Sequence, residues 1–123
     1  MSIYLYVNAV LYAAFAVLCT VKPWVTATNV GYTSLSAGGR SEYLVVYGGL
    51  QLGLAAIFAV LARGDLATQR LGVLLSVCLY VPIVAYRIVT VGRFWPVGGM
   101  TLGVGTLEVL LLVAALALYL RSA

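Results

Sequence analysis

Chemistry has few places to happen in this chain. It carries three acids, Glu42, Asp65 and Glu108, against seven basic residues, and it has no histidine. Without histidine the commonest general base, the usual haem ligand and most metal sites are missing. Acid–base or binding work therefore falls to carboxylate, guanidinium, phenol and thiol groups. Glu42 follows Arg40 in the stretch Gly38-Gly39-Arg40-Ser41-Glu42, and behind it Tyr43, Tyr47 and Gln51 recur at i, i+4 and i+8. That spacing draws one aromatic and polar stripe along a helix. Tyr86, Arg87 and Glu108 lie further on, inside apolar sequence. A carboxylate beside Tyr47 or Tyr86 in such a setting suits acid–base work on an amphipathic substrate, because burial raises a carboxylate pKa. An arginine close by opposes that rise and favours gripping a polar head group instead. The thiols offer less. Cys19 and Cys78 lie near opposite membrane faces by their depth, no Cys-x-x-Cys is present, and both read as small core residues rather than a disulfide.

The elements that must position these groups are membrane spans. The composition is 64% hydrophobic and the mean hydropathy is +1.12, far above a soluble domain. Apolar runs cover residues 3–21, 43–62, 71–91 and 101–120, each near the ~20 residues that cross a hydrocarbon core. They are continuous rather than alternating, which excludes the β-barrel pattern. The first run lacks a basic lead and a small-residue cleavage site, so it reads as a helix and not a signal peptide. The expectation is an all-α membrane protein, a single four-transmembrane-helix bundle over residues 1–123. Its net charge of +4 then concerns topology, and with no basic cluster a nucleic-acid partner is not expected. The short basic second loop, with Arg63 and Arg70, and Arg121 near the end place both termini on the cytoplasmic side.

Local signals refine the spans. Asn8 and Tyr12 share one face of the first helix, Asn8 reading as an interhelical hydrogen bond or a cavity-lining group. Lys22-Pro23-Trp24 ends that helix, and the polar residues 25–41 read as a long loop of functional character. Ser41 reads as the cap of the second helix, with Glu42 in its first turn. Gly49-x-x-x-Gly53 reads as a close-packing face, and Gly48 suits either packing or a ligand groove. Pro82 predicts a kink in the third helix.

Depth brings the charges together. At 1.5 Å per residue Arg87 lies about 6 Å, and Glu108 about 10 Å, from the same end of the third and fourth spans. Arg40 and Glu42 enter the second span from that membrane face. Unpaired charges in hydrocarbon cost at least ~2.5–3.5 kcal/mol, so these groups should pair, Glu108 with Arg87 first of all. The candidate ligand-binding set is Arg40, Glu42, Tyr43, Tyr47, Gln51, Tyr86, Arg87 and Glu108. A purely structural salt-bridge network accounts for the same residues equally well.

The residues Asn8 to Tyr12, Gly39-Arg40-Ser41-Glu42-Tyr43, Val46-Tyr47-Gly48-Gly49-Leu50-Gln51-Leu52-Gly53, Tyr86-Arg87 and Leu107-Glu108 carry a family likeness. The chain resembles, over nearly its whole length, the small bacterial membrane proteins of domain-of-unknown-function family 4345, within the DoxX-like grouping. The resemblance implies a four-helix bundle in the bacterial inner membrane without an established reaction. Some DoxX-like relatives accompany quinone oxidoreductases, so a quinone cofactor or a partner membrane subunit enters by analogy. Three functions follow as expectations: an accessory or amphipathic-ligand-binding bundle for lipid or quinone; a membrane enzyme using Glu108 or Glu42 as acid or base; and a small proton-coupled transporter acting as a homo-oligomer. No metal is expected.

Overall fold

A computed structural model describes residues 1–122 of the chain. It is all-α, with no strand among the described residues. The helices are α1 (Ser2–Val21), the short α2 (Pro23–Asn29), α3 (Ala37–Leu44), a π-helical segment (Val45–Leu50), α4 (Gln51–Ala62), α5 (Leu66–Arg93) and α6 (Gly99–Arg121). The run from Ala37 to Ala62 is continuous helix, so four helices are long and apolar enough to span a membrane. Spans of 20 to 28 residues correspond to lengths of roughly 30 to 42 Å, enough for a ~30 Å hydrocarbon core with ends left over. Their outward faces carry Ile3, Val10, Val60, Ile88, Val89, Leu110 and Val113. Such apolar surface is a liability in water and costs nothing in lipid.

The chain forms two compact units, Ser2–Arg63 and the chain from Gly64 onward. In the first, α1 lies along α4 and the π segment. Tyr12 stacks on the fully buried Phe58 at 5.7 Å between centroids, and the Ser2 hydroxyl donates to the Ala62 carbonyl at 3.1 Å. Asn8 is fully buried, and its amide donates to the Tyr4 carbonyl one turn back at 2.9 Å. Gly48 decides how closely α1 approaches the π segment: a Cβ built there would sit 2.8 Å from the Thr20 hydroxyl. Gly49 and Gly53, expected to be the close-packing pair, would meet nothing within 4 Å. The small-residue spacing found the right turn of helix and the wrong face of it. The π turn is the reason, since its wider winding shifts which residues face a neighbour.

Residues 25–41 are not one loop. Pro23 sits where a helix tolerates it, at the start of α2, and Ala27 of that helix is buried with Cys19 and Tyr43. The second span also starts earlier than its apolar run. Ser36, not Ser41, is its N-cap, accepting a hydrogen bond from the Gly39 N–H at 3.1 Å. Glu42 therefore lies in the second turn rather than the first. Polar residues 37–42 belong to the helix although they are too hydrophilic to be counted in a hydrophobic run.

The second unit is the α5–α6 hairpin. Asp65 caps α5, its carboxylate accepting from the Thr68 hydroxyl at 2.6 Å and the Thr68 N–H at 2.9 Å. These bonds, the hydroxyl's first, hold the Asp65 carboxyl below its ordinary value of 3.8. α5 runs on as helix through Pro82. The buried Ser76 returns its hydroxyl to the Gly72 carbonyl at 3.0 Å, which satisfies it inside the span. Arg70 lies over the Tyr119 ring at 5.1 Å, joining the two ends of the hairpin.

Candidate functional site

Two side-chain clusters gather the chemistry-bearing residues, one in each unit. The first is built where α5 and α6 approach each other. Arg87 and Glu108 form a two-pronged ion pair, Nε to Oε2 at 2.9 Å and Nη2 to Oε1 at 2.7 Å. The pairing expected from their common depth is therefore formed. The Arg87 side chain is 32% exposed and that of Glu108 15%. Gly105, one turn before Glu108, makes this geometry fit: a Cβ there would lie 3.2 Å from Cγ and 3.3 Å from Cδ of Arg87. The arginine stem runs across the bare glycine backbone and delivers the guanidinium to the carboxylate. Both oxygens of Glu108 are engaged, so the pair is formally neutral and its planar fork fixes the guanidinium's orientation.

Arg87 lines an open groove of about 510 Å³ whose other walls include Ile88, Val91, Leu102 and Val109. Thr101 and Thr106 add hydroxyls. Thr106 spends its proton on the Leu102 carbonyl at 2.9 Å, whereas the Thr101 hydroxyl is unengaged among the described residues. An apolar trough with a guanidinium and threonine hydroxyls in its wall has the make-up of an amphipath-binding surface. Tyr86, next in sequence to Arg87, is 75% exposed. Adjacent residues on a helix point about 100° apart, so its proximity in sequence to the pair does not give it the same surroundings.

The second cluster holds Tyr43 and Tyr47, stacked at 4.5 Å. Tyr32 meets Tyr43 edge-on at 5.9 Å, and Phe15 meets Tyr47 at 6.3 Å. The Tyr43 hydroxyl pairs with the Thr26 hydroxyl at 3.0 Å and lies 3.8 Å from the Cys19 sulfur. These contacts tie α2 and the chain after it onto α1 and α3, which gives the stripe of tyrosines a packing role in this unit. Gln51 donates to the Val46 carbonyl at 3.4 Å, five residues back, reaching a carbonyl of the π segment. Arg40 and Glu42 stand exposed on α3, and neither is in an ion pair among the described residues. The sites expected at Arg40, Glu42, Tyr43, Tyr47 and Gln51 thus belong to the first unit, and those at Tyr86, Arg87 and Glu108 to the second.

Cys19 is fully buried as expected, but Cys78 is exposed on α5, which corrects its reading as a core residue. An amphipathic period cannot be read from a helix that is apolar all round, so the outward position of Cys78 left no trace in the sequence. No group of three metal-ligating side chains occurs among the described residues. Sequence reasoning missed Gly105, Thr101 and Thr26. Gly105 had a signal, three residues before a buried acid on the same helical face; the two threonines had none that set them apart from others. No family model, no curated protein and no solved structure matches the chain.

Proposed function

We propose that this is an integral, multi-pass protein of a bacterial inner membrane, related to the DoxX-like group, that holds an amphipathic molecule, a lipid or a quinone, against α5 and α6. The observation that carries this reading is Arg87, ion-paired to Glu108 and 32% exposed, in the wall of an otherwise apolar groove of about 510 Å³. Ionisable groups within a span are expensive, and a site that exposes them to an occupant is a common reason for retaining them. Acid–base catalysis is less well supported: Glu108 has both oxygens committed to Arg87, and Glu42 is exposed on its helix.

The test is the lipid and quinone content of the purified protein. Wild type extracted from native membranes should carry one amphipathic species enriched over the bulk extract, near one molecule per chain. Val109→Trp, which fills the groove from a position 41% exposed and away from the ion pair's own atoms, should lose that species while keeping its melting temperature. Bulk-like lipid ratios in wild type would defeat the proposal.

A further inference from the structure

Resting on the ligand-binding reading above, we propose that the occupant of the α5–α6 groove is an anionic phospholipid, its phosphate at Arg87 and Thr101 and an acyl chain against Val109. The sign of the head follows from the groove's wall. Arg87 is the only charged residue among the described residues that line it. Glu108 does not line it, and its side chain is 15% exposed against 32% for that of Arg87, so the ion pair turns its positive end to the groove. The guanidinium carries five N–H donors in a planar fork, and Glu108 takes two of them. A phosphate meets the exposed third of a side chain that Glu108 holds from behind. Thr101 adds a hydroxyl, unengaged among the described residues, in the first turn of α6. The helix dipole is positive there, and Gly98 offers no side-chain cap.

Depth assigns that phosphate to a lipid. The 28-residue α5 is ~42 Å long; centred on a ~30 Å core, it leaves Arg87, six residues before its end, ~3 Å inside the hydrocarbon boundary. Thr101, two residues into the 23-residue α6, lies within ~2 Å of the same boundary. From that level a snorkelling arginine reaches the layer of phosphates and glycerols. Val109 lies ~15 Å from the start of α6, at the depth of a tail. With Ile88 and Leu102 it makes an apolar wall for which a soluble phosphate has no use. An uncharged quinone ring leaves the positive end of the groove unmatched.

The experiment uses the full chain in phosphatidylcholine nanodiscs with one of two photoactivatable probes, a diazirine-tailed phosphatidylglycerol or a diazirine-tailed phosphatidylcholine. Labelled residues are mapped by mass spectrometry. A chain of net charge +4 draws anionic lipid to its whole surface. The preference is therefore read as the ratio of the two probes in segment 101–109, divided by the same ratio in segment 3–11 of α1, which has no charged side chain. Wild type should show an enrichment of about fivefold, the share of one arginine near a membrane surface. Arg87→Gln combined with Glu108→Gln removes the cation and strands no carboxylate, and its enrichment should vanish. Glu108→Gln alone keeps the cation without its rival acceptor and should raise the enrichment. Thr101→Val leaves the ion pair intact and should lower it about threefold, so the proposal stays testable where the double variant fails to insert. No enrichment in wild type, while both probes label 101–109 more strongly than 3–11, overturns the anionic head and leaves ligand binding standing. An enrichment that persists in the double variant, or is unchanged in Thr101→Val, overturns the placement of the head. A phosphatidylglycerol signal that decylubiquinone displaces better than unlabelled phosphatidylglycerol does overturns the lipid assignment. Labelling of 101–109 no stronger than that of 3–11 by either probe overturns the ligand-binding reading itself.

Discussion

Removing Glu108 tests whether its pair with Arg87 is an energetic unit. The structure sets the scale between two limits. A solvent-exposed pair contributes ~0.2–1 kcal/mol, and removing one partner of a fully buried pair costs ~3–5 kcal/mol. With 32% and 15% exposure and two hydrogen bonds, the Arg87–Glu108 pair lies between them. Glu108→Ala should therefore cost about 2–3 kcal/mol, most of it the penalty of leaving a cation unmatched beside hydrocarbon. Arg87→Ala should cost a similar ~2–3 kcal/mol, because it strands the carboxylate and withdraws the stem that covers Gly105. The double variant strands nothing. It should cost less than the two single losses together, by a coupling of about 1–2 kcal/mol. Equilibrium unfolding of the four proteins in mixed micelles of dodecylmaltoside and dodecyl sulfate measures all corners of the cycle. Additive losses, within about 0.5 kcal/mol, would refute the assignment of the pair as a coupled unit.

The glycines give a contrast within one turn of helix. Gly48→Ala should lower stability by about 1–3 kcal/mol because its Cβ meets the Thr20 hydroxyl, whereas Gly49→Ala and Gly53→Ala should be neutral or stabilise by up to ~1 kcal/mol, as unfolding titrations will register. For Asp65, the depressed carboxyl pKa means that its stabilising contribution is present above the unfolded value of about 3.8 and is lost as pH falls through the folded one. Melting temperatures of wild type should thus fall more steeply than those of Asp65→Asn on acidification below about pH 5, and the two slopes should coincide above it.

The spans were legible because their length and continuity leave no other structure that satisfies the backbone in lipid. The Arg87–Glu108 pair was legible for a related reason: depth is set by residue count, and two opposite charges at one depth in adjacent spans have strong cause to meet. What sequence did not deliver was rotation about each helix axis. Tyr86 and Arg87 are neighbours in sequence and differ in surroundings, and Cys78 faces outward from a helix apolar on every side. Gly48 took the close approach that the Gly49-x-x-x-Gly53 spacing assigned elsewhere. Starts and ends failed differently. Ser36 and α2 lie in polar sequence, where hydropathy is silent and only cap chemistry and the proline position speak.

The π segment between Tyr43 and Phe58 has a consequence for how this chain tolerates length. Fifteen residues separate these two side chains, and both address α1, Tyr43 beside Cys19 and Phe58 stacked on Tyr12. For helices that wind around one another at about 3.5 residues per turn, fifteen is one too many, and Phe58 would fall roughly 100° off the seam. One residue absorbed in a widened turn leaves fourteen, two full heptads, and returns both rings to the same side. The bulge thus behaves as an inserted residue that the helix has swallowed without lengthening its register. Deleting the exposed Leu50 at the end of this segment should therefore be a smaller change to this protein than deleting one residue from the regular helix that follows.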